Sequence, residues 1–252
     1  MCRDNLSGLS AAADANVALS TSVPDGTETS NASTNSQSVC DVAGNCATAG
    51  PVSGNRIDKK APTISITLPT GSTYVLRQVV STDYACADAG SGTATCAGPV
   101  AAGGVLDTAS VGSRSFAVAA TDNVGHTAAQ GVNYQVAYAI CALYDSVHPF
   151  QIGATIPIRL QLCDANGSNV SSALLGVTAI GVRLVSSSIS DQPLQAPSAA
   201  NPDSNFRFDP TLGATGGYIY NLSTRGLASG TYELQFSAAN DPTTHSVPFG
   251  VK

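Results

Sequence analysis

The chain repeats two short loops, in the same order, at a domain-sized interval. Residues 2–8 (CRDNLSG) match residues 86–92 (CADAGSG), and residues 40–46 (CDVAGNC) match residues 121–127 (TDNVGHT). A constant order at a long period is typical of tandem copies of one small module. The loops are rich in Gly, Asp and Asn, so we predict modules built of short strands and turns. Such modules usually serve as spacers or as binding units.

Composition excludes several classes of partner. Charged residues make up 11% of the 252 residues, against roughly 25% in an average soluble domain. The net charge of −6 argues against nucleic acid and anionic membrane surfaces, which select for basic patches. No run of 18 apolar residues is present, so we expect no membrane insertion. Residues 1–20 do not resemble a signal peptide but the middle of a domain, and we expect covalently linked N-terminal domains to be missing from this chain.

Alternation of apolar and polar residues predicts an all-β fold. The pattern recurs in residues 63–68, 115–120, 156–162 and 232–236, and no window has a capped period of 3.6 residues. Turn signals follow one another at intervals of about 8–12 residues, which is typical of a β-sandwich. Pro157 falls inside one of these strands, and its missing N–H predicts a place at a sheet edge.

The seven cysteines predict three disulfides. Two pairs flank short turns, so the cysteines of each pair lie at facing strand ends within bonding reach. The spacings do not fit zinc and no His lies near any pair, and the alternative of seven free thiols is disfavoured by these positions. Cys163 has the outward parity of its strand, so its bridge is expected on the rim or after a bulge. We expect an oxidising compartment and the pairs Cys40–Cys46, Cys86–Cys96 and Cys141–Cys163, with Cys2 left over.

The turn- and linker-forming residues along the chain predict three domains. Residues 1–60 form an incomplete copy of the module, and the charged, Pro-containing step at residues 57–63 indicates a joint. Residues 61–138 form a complete β-sandwich. Residues 139–252 have different turn signals and are expected to form a second kind of β-sandwich.

These residues carry a resemblance to two bacterial modules. Residues 61–138 resemble extracellular Ig-like domains that open with a D-K-x-A-P-x-I joint, here residues 58–64 (DKKAPTI), and close with a D-x-A-G-N hairpin, here residues 41–45 (DVAGN) in the first copy. Residues 139–252 resemble the PxKF-type C-terminal module, with residues 157–160 (PIRL) at the position of its signature strand. The resemblance implies tandem Ig-like sandwiches of an exported bacterial multidomain protein, located at the cell surface or outside the cell, with no catalytic residues.

Little in the chain predicts chemistry. The three histidines lie in turns or polar stretches and no nucleophile motif accompanies them, so we expect no enzyme, no catalytic residue and no cofactor. Asp88 and Asp122 lie in loops that could offer calcium ligands. Because Asp is also a preferred turn former and each loop has only one or two carboxylates, we predict turns and no metal site.

One segment is a candidate ligand loop. Phe206, Arg207 and Phe208 lie in the Ser- and Pro-rich stretch 186–215, where two aromatic rings could clamp a ligand. The tyrosines at 218, 220 and 232 alternate with polar residues and are expected in the core instead.

Two functional hypotheses follow. The first is a non-catalytic structural or adhesive stalk, whose disulfide-pinned loops limit bending and resist proteolysis. The alternative is a carbohydrate-binding accessory module of a secreted polysaccharide-active enzyme. Exposed aromatics on one face of residues 139–252 would favour the alternative, and a surface of Ser, Thr and Asn would favour the stalk. A weaker third hypothesis is a spacer stiffened by calcium.

Overall fold

The computed structural model describes residues 2–185, 190–192 and 201–252. Eighteen strands run through this part of the chain, with three short 3-10 segments at Ala12–Asn16, Pro202–Ser204 and Leu212–Ala214. None of its helices is long and apolar enough to cross a membrane. The chain divides into two compact units. The first comprises Met1–Thr67, Asp83–Ala102 and Ala117–Gly131, and the second comprises Leu68–Thr82, Gly103–Phe116 and Val132–Lys252.

Short hairpins and strand pairs build the first unit. The pairs are β1 (Glu28–Ala32) with β4 (Asn55–Asp58), and β2 (Gln37–Cys40) with β3 (Cys46–Ala49). Further along, β5 (Thr63–Leu68) pairs with β7 (Asp83–Ala87). Few large apolar side chains are buried here, because the strands are rich in Ser, Thr, Asn and Ala.

A four-stranded sheet, which we call the central sheet, contains the two longest strands in the described part of the chain. Its order is β6-β10-β9-β8, with β6 (Thr73–Val75), β8 (Thr93–Ala97), β9 (Gly112–Asp122) and β10 (Thr127–Ala137). The β6 strand runs parallel to the end of β10. Along β9, alternate residues are buried, as the alternation of residues 115–120 predicts.

Two four-stranded sheets, which together we call the terminal sandwich, enclose a large apolar core. One has the order β11-β12-β16-β15, with β11 (Ala139–Ala142), β12 (Thr155–Cys163), β15 (Arg207–Asp209) and β16 (Gly217–Ser223). The other has the order β14-β13-β17-β18, with β13 (Val177–Leu184), β14 (Ser190–Gln192), β17 (Gly230–Ala238) and β18 (His245–Val251). Inward side chains of both sheets form one apolar cluster. Two sheets that face a common core form an Ig-like β-sandwich.

The predicted all-β, sandwich-type fold class is confirmed. Tyr218, Tyr220 and Tyr232 are buried in the core, as expected. Pro157 pairs with Asn221 on one side, while β11 reaches only residues 160–163, so at Pro157 the strand is locally an edge. The division at residues 60/61 and 138/139 stays a prediction.

Cys163 differs in burial from what its parity suggests. Its partner Cys141 lies in the edge strand β11, at the rim as expected, but Cys163 itself is 0% exposed. The loop that ends in Gly216 lies over the outward side of β12, where Gly216 accepts a hydrogen bond from the Gln161 side chain. Asn169, which forms a bridge with Cys163, donates to the same carbonyl.

Candidate functional site

Acidic side chains from distant parts of the sequence meet in the first compact unit. Glu28 begins β1 and pairs in register with Asp58, which ends β4. Asp88 follows β7, and Asp122 ends β9. Together with His126, which precedes β10, these residues form what we call the acidic joint.

The carboxylate of Asp58 acts as a backbone acceptor. It accepts the N–H of Ser91 at 2.8 Å and the N–H of Lys60 at 3.1 Å. The hydrogen bonds from Ser91 and Lys60 hold the pKa of the Asp58 carboxyl below its ordinary value. Asp88 accepts the same Ser91 N–H at 2.9 Å and the Gly92 N–H at 2.8 Å. Loop 88–92 is therefore fixed by hydrogen bonds within the loop and by a hydrogen bond to Asp58 at the end of β4.

Asp122 closes the turn between β9 and β10. Its side chain is fully buried and accepts the N–H of Val124 at 2.9 Å and of His126 at 2.8 Å. The Nδ1 of His126 lies 2.8 Å from its other oxygen. Burial by itself raises the pKa of the Asp122 carboxyl, but the hydrogen bonds from His126 and Val124 outweigh burial and leave the pKa below its ordinary value.

The two sequence repeats make equivalent contacts. In the second copy the N–H of Asn123 donates to the carbonyl of Gly92 at 3.0 Å, and in the first copy the N–H of Val42 donates to the carbonyl of Gly8 at 3.0 Å. Asp41 accepts the N–H of Asn45 at 2.7 Å, as Asp122 does from His126. The matched loops therefore pin one another in the same way in each copy.

A polar cleft of about 610 Å³ opens beside the acidic joint. Arg56, Val124 and the joint residues Glu28 and Asp58 line it. Lys60 lies 3.3 Å from one oxygen of Glu28, whereas the other oxygen, Oε2, is buried without a hydrogen-bond partner in the described part of the chain.

Two groups of side chains could hold a divalent cation. Ligand atoms of Asp58, Asp122 and His126 lie within 4.8 Å of one another, and so do those of Glu28, Asp58 and Asp88. Carboxylate oxygens are the ligands that calcium prefers. The carboxylates of Asp58, Asp88 and Asp122 already accept backbone N–H groups, which is the turn-forming role that the sequence predicts for Asp88 and Asp122.

The disulfides are those that the cysteine spacing predicts. Cys40–Cys46 closes the β2–β3 hairpin, Cys86–Cys96 joins β7 to β8, and Cys141–Cys163 joins β11 to β12. Cys2 is a free, half-buried thiol. Each bridge therefore fixes a loop or a strand pair to its neighbour.

The predicted ligand loop is corrected by the structure. Phe206 is 6% exposed, and its ring packs against Tyr220 and Phe236 in the core of the terminal sandwich. The ring of Phe208 packs against that core as well, with its edge on Tyr218. Because both rings are used in apolar packing, they form no aromatic clamp at the surface.

Arg207, the third residue of the predicted ligand loop, is at the surface. It is exposed and is the first residue of β15. Part of the Ser- and Pro-rich stretch 186–215 lies outside the described residues, namely 186–189 and 193–200. Within the described part, β14, β15 and two 3-10 segments replace a structureless loop.

Sequence reasoning missed two residues of the acidic joint. The step at residues 57–63 is recognisable as a joint, but nothing in it marks the carboxylate of Asp58 as an acceptor for loop 88–92. No sequence motif marks Glu28, and it lies at the site only because β1 pairs in register with β4. The repeated Gly-containing loops were the one usable signal, since Gly90 is where the side chains of Glu28 and Asp58 approach the backbone.

No family model and no curated protein matches this chain. Among solved structures it is similar to the fibronectin(III)-like modules of Clostridium thermocellum CbhA, at 14% identity over 75% of this chain and 94% of that one, with a TM-score of 0.25. It is also similar to the protocadherin GammaB4 extracellular domain, at 13% identity over 88% of this chain and 37% of that one, with a TM-score of 0.27. A further similar structure is that of S-layer protein SbsC domains 4 and 5, at 13% identity over 85% of this chain and 88% of that one, with a TM-score of 0.22. Likeness at this level is too remote to say what the chain binds.

Proposed function

We propose that this chain is a run of non-catalytic structural modules, a load-bearing stalk of an exported bacterial protein. In this role the tandem Ig-like unit and the terminal PxKF-type sandwich hold other domains at a distance. The mechanism is mechanical, because loops that are fixed by covalent bonds and by buried carboxylates resist bending and proteolysis.

The position of the aromatic residues is the observation that carries this proposal. The chain has eight Tyr, six Phe and no Trp, and every one of these rings is buried or half-buried. The exposed large apolar residues in the described part of the chain are all aliphatic. A carbohydrate-binding module commonly presents an aromatic ring on which a sugar stacks, and this chain presents none fully exposed.

The three disulfides support an exported protein. Disulfides persist in oxidising environments and are rare in the cytosol, which favours a place at the cell surface or outside the cell. Small modules with little apolar core also depend on such bridges for stability, and the first compact unit is of that kind.

The proposal is tested by retention of the oxidised chain on a panel of insoluble and soluble polysaccharides, with and without calcium. We expect no saturable retention on any member. Saturable retention that Arg207→Ala abolishes, while the control Arg225→Ala at another exposed arginine does not, would replace the stalk with the carbohydrate-binding alternative. Saturable retention that both variants keep would also overturn the proposal and would place the site elsewhere.

A further inference from the structure

A single residue separates the last strand of the central sheet from the terminal sandwich. The β10 strand ends at Ala137 and β11 begins at Ala139, which leaves Tyr138 as the linker. All residues considered below belong to one compact unit, which contains residues 68–82, 103–116 and 132–252. A one-residue linker can still bend unless its backbone is held, so its hydrogen bonds decide its stiffness.

The backbone of the linker is bound by a buried carboxylate. The N–H of Tyr138 donates to Oδ2 of Asp241 at 2.8 Å, and the Asp241 side chain is fully buried. Thr243 donates its N–H and its hydroxyl to Oδ1 of Asp241, at 2.9 and 2.7 Å. His245 Nε2 lies 2.8 Å from Oδ2. The carboxylate of Asp241 is therefore fixed by Thr243 and His245 in a position where it accepts the N–H of the linker. The half-buried ring of Tyr138 packs on the core of the terminal sandwich.

A second contact lies at the turn that follows β6. The N–H of Leu76 donates to the carbonyl of Ala137 at 2.8 Å, and the carbonyl of Leu76 accepts the N–H of Ala165 at 2.9 Å. Next to it, Nη1 of Arg77 lies 3.2 Å from Oδ2 of Asp164, whose side chain is 2% exposed. The turn at residues 76–77 is thus tied both to the end of β10 and to the loop after β12.

We propose that these two contacts form a clamp that makes the linker rigid, so that β6, the end of β10 with which it pairs (residues 135–137) and the terminal sandwich move as one body. The inference deepens the proposed stalk function and rests on it for its biological meaning. One arm is the bond from Tyr138 to Asp241, and the other is the bond from Ala165 to Leu76 with its ion pair. Because both arms restrain the same linker, we expect the opening of either arm to loosen the other, and such coupling is reciprocal.

Amide hydrogen exchange of the full oxidised chain, followed residue by residue by NMR, tests the clamp. We expect Asp241→Ala to speed exchange of the Tyr138 N–H, and also of the Ala165 N–H, to which Asp241 makes no hydrogen bond, each by about tenfold. The matched control is Asp209→Ala. Asp209 begins the same Asp-Pro-Thr sequence and accepts the N–H and hydroxyl of Thr211 at the same 2.9 and 2.7 Å, but no linker amide, so both rates should stay as they are.

A variant on the opposite arm keeps the test decisive if Asp241→Ala does not fold. Arg77 is 58% exposed, so Arg77→Ala removes the ion pair with little effect on packing, and we expect it to speed exchange of the Tyr138 N–H. Unchanged exchange of the distant amide in the folded variants, or an equal effect of Asp209→Ala, would overturn the clamp. Retention on a polysaccharide would overturn the stalk and leave this result as it stands, so the two failures are distinguishable.

Discussion

Aspartate side chains fix many of the turns of this protein. Its short side chain can accept backbone N–H groups two to four residues ahead, which fixes a turn without any apolar core. Asp4, Asp122 and Asp164 each accept two such hydrogen bonds. Asp41 accepts one, from the N–H of Asn45, and a second hydrogen bond from the side-chain amide of the same residue. A chain with only 17 acidic residues therefore uses several of them to fix the backbone of its turns.

Gly90 shows how closely the acidic joint is packed. A Cβ at this position would lie 2.6 Å from Cγ of Asp58 and 2.8 Å from Oε2 of Glu28. Since Asp58 is held by two backbone N–H groups, it cannot move aside without losing hydrogen bonds. We expect Gly90→Ala to lower the free energy of unfolding by about 1–3 kcal/mol, measured by urea denaturation.

The control for this substitution is Gly176→Ala. A Cβ at Gly176 meets no atom within 4 Å, so its effect should stay within about 0.5 kcal/mol. Equal effects of the two substitutions would contradict the close packing of Gly90 on the acidic joint.

Single residues were only partly predictable. The turn role of Asp88 and Asp122 follows from local chemistry, because their partners lie within four residues. Asp58 and Glu28 could not be placed, because strand register and not local sequence brings them together. Phe206 was wrong as a ligand residue, since its neighbours suggest a polar loop while its ring fills the core of the terminal sandwich.

At the scale of elements, alternation was a dependable guide. The β9, β12 and β17 strands bury the parity that their sequences predict, and β5 half-buries it. The exception is the end of β12, where four consecutive residues are buried. A strand pattern describes one sheet and its core, and it contains no information on a loop that covers the opposite face.

The β9–β10 hairpin should weaken in acid because Asp122 closes its turn. The folded-state pKa of Asp122 lies below its ordinary value, so the ionised carboxyl stabilises the fold above about pH 4, and this stabilisation is lost as pH falls through the folded-state pKa. We expect the urea midpoint to fall between about pH 5 and 2 and Asp122→Asn to flatten that fall. Asp25→Asn, which removes a carboxylate that is 96% exposed, should not change the profile.

Identical pH profiles for the parent chain and Asp122→Asn would contradict this role of the turn. A flattening by Asp25→Asn as large as that by Asp122→Asn would contradict it as well, because the effect would then come from net charge rather than from the buried turn.

At the scale of the whole molecule, stability has two different sources. The terminal sandwich has a large apolar core, which buries most of the aromatic rings. The first compact unit has few buried large side chains and holds two of the three disulfides in short loops. In that unit the disulfides offset a small apolar core. Both sources of stability are consistent with the load-bearing role that we propose.

Mechanical unfolding of single oxidised chains tests that role most directly. At about 3.6 Å per extended residue, the separation of 22 residues between Cys141 and Cys163 spans about 80 Å, against a Cα–Cα distance of 6.1 Å in the bridged pair. We predict a discrete unfolding event of the terminal sandwich whose contour length grows by about 70 Å when the bridge is reduced. Extension without a discrete event, or the same contour length in reducing buffer, would contradict a load-bearing stalk pinned by its disulfides.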